Sequence, residues 1–294
     1  MTASSAVSVS APAPQTVAQV ARAWAWGLCA AFVTGPIAAW LIARTPGPGG
    51  TDDALGLASA TPLLGAMLAL LALLLVGGSG TVAAWIGGQR PAMFVSGLVA
   101  AWASWAAGSS AGAATHAPSI ALVLNGAGGG LAILALGGWL LAKGRGRADP
   151  AFSSPWPTAL DQIKAVALPR VLAPIAIGAV AGGIVANWVL REPSPGQGFA
   201  AAWAGSLAGA VAVRFVGGAM QQPTSLLHCF VPAAVLCLIG AVVSGVAYGD
   251  PAEAVRSFSF GGLAGPTPAA WIAGTLLGAP LGARWFAGAS AERP

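Results

Sequence analysis

Residues 35–49 read GPIAAWLIARTPGPG, and residues 182–196 read GGIVANWVLREPSPG. The two stretches stand 147 positions apart and align without a gap, with identities at Gly35/Gly182, Ile37/Ile184, Ala39/Ala186, Arg44/Arg191, Pro46/Pro193, Pro48/Pro195 and Gly49/Gly196. In each copy an apolar run passes into Arg-x-Pro-x-Pro-Gly. Proline has no amide hydrogen with which to continue a helix and glycine permits the turn that follows, so each copy reads as the outer end of an apolar helix. The chain is read as a duplication built of such helices.

Composition says where those helices sit. Hydrophobic residues make up 56% of 294 positions and charged residues 7%, against roughly 25% charged in a soluble domain. So few charges cannot cover a water-facing surface of this size. Several apolar runs exceed the ~20 residues that cross a hydrocarbon core, and they lack the alternating ~10-residue pattern of a β-barrel. The fold class expected is an all-α polytopic membrane protein.

Eight spans are expected, at about 24–43, 61–87, 92–114, 118–142, 172–190, 199–220, 226–248 and 269–286. They form two parallel four-helix repeats, at 21–145 and 169–288. An uncharged tail rich in Ala, Ser and Pro precedes them at 1–20, and a short tail follows at 289–294. The linker 146–168 carries Trp156, Leu160, Ile163 and Ala167 at helical spacing, which suits a helix lying in the membrane interface; an ordinary polar linker accounts for it as well. The repeat extends beyond its opening. Gln221-Gln-Pro223 matches Gln89-Arg-Pro91 at an offset of 132, and Ala127/Ala273, Gly128/Gly274, Leu131/Leu277 and Trp139/Trp285 align the fourth helices at 146.

Orientation follows from the basic residues. With a cytoplasmic N-terminus, eight spans place Arg22, Arg90, Lys143, Arg145, Arg147, Lys164, Arg170, Arg214, Arg284 and Arg293 inside, and only Arg44, Arg191 and Arg256 outside. That is the positive-inside pattern, with both termini in the cytoplasm of a cell's inner (plasma) membrane. An even number of spans in each half makes the repeat parallel rather than inverted. Tryptophans 24, 26, 85, 139 and 285 near inner ends, and 40, 188, 203 and 271 near outer ends, suit a headgroup layer. Trp102 and Trp105 fall mid-span, where packing or lipid contact is the ordinary role and lining a solute path the other.

The chemistry-bearing residues are few. All eight carboxylates, at 52, 53, 149, 161, 192, 250, 253 and 292, fall in loops or the tail, which disfavours a proton- or sodium-coupled carboxylate inside the membrane. Cys29, Cys229 and Cys237 lie in apolar runs and read as small buried hydrophobes. The two histidines, His116 and His228, fall on opposite sides, so no metal set is expected. Motifs for zinc hydrolysis, serine hydrolysis or phosphate binding are missing; no enzyme, cofactor or nucleic-acid role is expected.

What remains is a channel or facilitator-type transporter for a small neutral or anionic solute. Its path is expected between the repeats, lined by Asn125, Gly126, Gly128 and Gly129 on one wall and Gly274 with Thr275 on the other, with Arg44 and Arg191 flanking the outer mouth. Tight helix packing is the competing role for the glycines. Arg214 is expected either to snorkel to the inner interface or to meet an anion or lipid headgroup. The alternative function is a non-catalytic subunit or assembly scaffold of a larger membrane complex. The expected partners are the bilayer and either a second copy of the chain or such a complex.

Overall fold

The computed structural model describes residues 16–51, 53, 55–144, 168–192, 194–220, 224–244 and 263–285. The regular structure among them is entirely helical: α1 (Val17–Ala43), α2 (Pro62–Gly87), α3 (Gln89–Ala106), α4 (Ser110–Ala114), α5 (Ser119–Lys143), α6 (Leu168–Val189), α7 (Pro195–Ala219), α8 (Leu226–Val242) and α9 (Pro268–Trp285). Five helices are long and apolar enough to cross a membrane: α1, α2, α5, α7 and the part of α6 from Val171 to Val189. The protein is therefore a membrane-embedded helical bundle. The expected linker helix at 156–167 and the turn at 221–223 lie outside the described residues.

Helix starts and breaks follow from local chemistry. α1 begins at Val17, inside the expected tail, because Thr16 and Gln19 cap it reciprocally: the Gln19 N–H reaches the Thr16 hydroxyl at 3.3 Å and the Thr16 N–H reaches Gln19 Oε1 at 3.1 Å. Midway, Pro36 has no N–H to offer Phe32. The chain passes this point through a π turn over Ala30–Thr34, with Gly35 N–H bonding back to Ala30. The expected third span is broken. α3 stops at Ala106, Gly108 adopts φ 73°, and Ser109 caps the separate short helix α4. A side chain on Gly108 would run into the Asp53 carboxylate, whose Oδ1 accepts the Ser109 N–H at 2.7 Å.

The two copies of the opening stretch diverge at their ends. In the second, Ser194 caps α7 and Pro195 is its first residue, so α6 turns directly into α7. In the first, Pro48–Gly50 forms a 3-10 turn and a further loop follows before α2 begins at Pro62. The repeat offset falls from 147 to 132 across this loop and returns to 146 by the fourth helices.

Glycines set the packing. Gly178 and Gly182 on α6 face Gly209 and Gly205 on antiparallel α7, where added Cβ atoms would lie 2.9 Å from the Gly209 carbonyl oxygen and 2.6 Å from that of Gly205. On α9, Gly274, Gly278 and Gly282 press on the α7 backbone at Ala202, Trp203 and Leu207. On α5, Gly126, Gly130 and Gly137 face α8 at Ala241, Ala234 and Phe230. Such spacing brings backbones together where lipid supplies no hydrophobic drive. α5 packs chiefly on α8, and α9 on α7 and α3.

Tryptophan positions depart from the belt in two cases. Trp271 is 1% exposed, enclosed by α7 beside Gly205, and its Nε1 is buried without a hydrogen-bond partner. Trp26 turns inward and donates to the Ser79 carbonyl at 2.9 Å. Trp102 packs on Gly35 and Trp105 stands over Gly196.

The glycine contacts yield a direct check. Gly205→Leu should cost about 1–3 kcal/mol or more through overpacking, whereas Gly218→Leu on the same helix, where a Cβ would meet nothing within 4 Å, should be near neutral. Thermal melting of the two detergent-purified variants, followed by size-exclusion fluorescence, separates them; equal melting would contradict the packing.

Candidate functional site

A cavity of about 280 Å³ lies toward the end of the bundle that bears the Pro-Gly loops. Ala66, Ala69, Leu70 and Leu73 of α2 form one wall, Ala100 and Ala103 of α3 the back, and Leu124, Asn125, Gly128 and Gly129 of α5 the other wall. Pro268, Ala269 and Ile272 at the start of α9 close a further side, and residues 55–57 roof it. Thr267, just before α9, also lines the cavity.

Asn125 ties the roof down. Its Oδ1 accepts the Leu57 N–H at 3.1 Å and its Nδ2 donates to the Leu55 carbonyl, so one α5 side chain satisfies two backbone groups of the inserted loop. Leu55 and Ala58 bury themselves against Leu122 and Ala113. A second set of bonds holds the same end: the Ser110 hydroxyl donates to the Pro266 carbonyl at 3.1 Å and the Ser110 N–H to that of Gly265 at 3.2 Å.

The open side of the cavity lies between α2 and α5. Among the lining residues, Leu70 and Leu124 are 57% and 50% exposed and Gly128 is exposed, while Ala72, Val76, Ala100 and Ala103 are buried. Leu70 stands eight residues into α2 and Gly128 nine into α5, about 12–14 Å along each axis at the helical rise. In a bilayer with a ~30 Å hydrocarbon core that is near mid-depth, so the opening faces acyl chains rather than water. Among the described residues no charged side chain lines the cavity.

The expected site residues separate into three groups. Asn125, Gly128 and Gly129 line the cavity, but Gly129 also abuts Pro268 and Cys237, whereas a Cβ on Gly128 would meet nothing within 4 Å. Gly126 faces α8. Gly274 and Thr275 stand elsewhere, at the α7–α9 contact: a Cβ on Gly274 would lie 2.5 Å from the Ala202 carbonyl carbon, and the Thr275 hydroxyl bonds the Trp271 carbonyl at 2.6 Å and Ser206 at 3.3 Å. The expected second wall is supplied instead by α2 and by the first residues of α9.

Neither arginine of the opening repeat lines the cavity. Arg44 is exposed and stacks over Trp40 at 4.7 Å. Arg191 is exposed at the end of α6, where Gln197 Oε1 accepts its N–H at 2.7 Å and that of Glu192 at 2.8 Å. Arg214 is half-buried on α7 beside Cys229, whose thiol lies 3.9 Å from the Ala210 carbonyl oxygen. His228 is held locally, its Nδ1 accepting the Ser225 N–H at 3.0 Å. Among the described residues no three His, Cys, Asp or Glu side chains gather as a metal site, and the three cysteines are free thiols.

The roof was the part of the site that sequence reasoning missed. A signal for it is the changed spacing of the sequence matches, 147 at 49/196 against 132 at 89/221. No family model, curated protein or solved structure matches this chain.

Asn125→Ala removes both bonds to the loop, each net hydrogen bond being worth about 0.5–1.5 kcal/mol. The roof should then open more often. A cysteine introduced as Leu57→Cys should react with a water-soluble maleimide several-fold faster in the Asn125→Ala background, while thermal stability of the bundle changes little; an unchanged labelling rate would show that the loop is held by other contacts.

Proposed function

We propose that this chain is a facilitator-type membrane protein that takes a small, neutral, lipid-soluble solute into the cavity between α2, α3, α5 and α9. One observation carries the reading: the wall is built of Ala, Leu, Gly and Ile with no charge, and its open side stands at hydrocarbon depth. Such a wall gives an ion nothing in exchange for its hydration shell, so the neutral class of solute is favoured over the anionic one. The near absence of polar lining also argues against carboxylate-coupled movement.

We take the bundle to be eight spans in two parallel repeats, in an inner (plasma) membrane with both termini cytoplasmic. The packing of α5 on α8 and of α9 on α3 supports the pseudo-symmetry. α3, α8 and α9 are shorter or less apolar than the other five; α9 is enclosed by its neighbours along most of its length, where lipid-level hydropathy is not demanded of it. The distribution of lysine and arginine supports the orientation.

A second reading, a non-catalytic subunit of a larger membrane complex, rests on the Asn125 amide. Its oxygen and nitrogen are both engaged by the chain's own loop, which leaves the cavity with few polar groups to select a solute.

Gly128→Leu fills the cavity without a clash, since a Cβ there meets nothing within 4 Å. Gly274→Leu is unsuitable for this purpose because it would part α9 from α7. In proteoliposomes, protein-dependent flux of neutral solutes graded in lipophilicity should fall at least about tenfold in Gly128→Leu, a barrier change of about 1.4 kcal/mol, with melting temperature unchanged. Equal flux in the variant would remove the cavity as the path. Protein-dependent flux absent across the panel, with foreign subunits co-purifying in fixed ratio, would establish the subunit reading.

A further inference from the structure

At the end of the bundle opposite the Pro-Gly loops, a second cavity of about 320 Å³ lies between α3 and α9. Gly97 of α3 meets Leu276 and Leu277 of α9. The gap is walled by Met93 and Phe94 on one side and Leu277, Pro280 and Leu281 on the other, with Trp203 of α7 at its deep end. Arg90, in the first turn of α3, and Arg284, in the last turn of α9, stand together at its other end.

The dimensions and polarity fit one kind of occupant. Leu277 and Arg284 are seven residues apart on α9, so the apolar part runs roughly 10 Å along the helix axis. Phe94 and Leu281 are each about half exposed, at 51% and 52%, so the groove is open along its side to the surrounding lipid. It therefore lies parallel to the bilayer normal, where an acyl chain lies, and ends in two positive charges at the level where a headgroup sits. Trp85 and Trp285 are largely exposed at the same end, as rings at a membrane interface are. Arg90 and Arg284 also make contacts within the chain; a guanidinium has five N–H donors, so such contacts and a phosphate contact are compatible.

We propose that the α3–α9 groove binds an anionic phospholipid, with one acyl chain against Phe94, Leu277 and Leu281 and the phosphate against Arg90 and Arg284. Two guanidiniums, with no carboxylate among the described residues of the groove wall, select a headgroup of net negative charge over a zwitterionic one. The site is separate from the cavity roofed by residues 55–57, shares none of its lining residues, and stands or falls independently of any solute passing there.

The test uses the purified full-length protein in detergent, with dioleoyl phosphatidylglycerol, dioleoyl phosphatidylcholine or inorganic phosphate added. Native mass spectrometry should show one phosphatidylglycerol retained per chain, and melting temperature should rise with phosphatidylglycerol but not with phosphatidylcholine or inorganic phosphate. Arg90→Gln with Arg284→Gln should weaken phosphatidylglycerol binding at least about tenfold, and Arg90→Lys with Arg284→Lys should retain most of it. Equal response of the wild type to the two phospholipids would overturn the proposal, and that comparison holds even if the glutamine variant fails to fold. A phosphatidylglycerol response that survives in a folded glutamine variant would also overturn it, and a response to inorganic phosphate alone would show an ion site without a lipid.

Discussion

The bundle depends on backbone meeting backbone. Lipid tails are as apolar as leucine, so two helices in a membrane gain nothing by hiding apolar surface from their surroundings and associate through dispersion contact at short range. Glycine is the residue that permits the range. At Gly182 and Gly205 the α6 and α7 chains approach until each carbonyl occupies the space of the other's missing Cβ, and at Gly274, Gly278 and Gly282 α9 lies on the α7 backbone in the same manner. α7 is thereby fixed on two sides. Trp271, the largest fully enclosed side chain, fills the remaining space near Gly205 at the expense of an indole N–H with no partner, a cost of about 1–3 kcal/mol that the surrounding packing offsets.

The cavity is the complement of this packing. The α5 glycines that face α8 bring those two helices together, while the next positions around the helix, at Asn125 and Gly128, look away from α8 toward α2. α2 and α5 touch only sparingly along their length. The space between them is sealed at one end by the loop at residues 55–57.

Much of this was legible in the chain, and what was not has identifiable physical causes. The five helices long and apolar enough to cross a membrane fall at expected spans, because runs such as 62–87 have no other stable form in lipid. The break at Gly108 was hidden, since the flanking Ala and Trp residues are apolar on both sides of it and the reason for the break is Asp53, which arrives from another loop. The glycines of residues 126–130 could be named but not sorted. Successive helical residues point about 100° apart, so Gly128 opens to the cavity while Gly129 abuts Pro268, and only the neighbours decide which is which. Gly274 aligns with Gly128 in sequence yet contacts a different helix.

The crossed arrangement, in which α5 rests on α8 and α9 on α3, bears on how the protein is made. A chain is synthesised from its N-terminus, and α5 leaves the ribosome well before α8 exists. Until then the stripe of Gly126, Gly130 and Gly137 has no backbone to lie against, and the first half stands in the bilayer with its closest contact surface unoccupied. The two halves are therefore not two small bundles that later dock. Each is completed by a helix of the other, and the first becomes whole only near the end of translation.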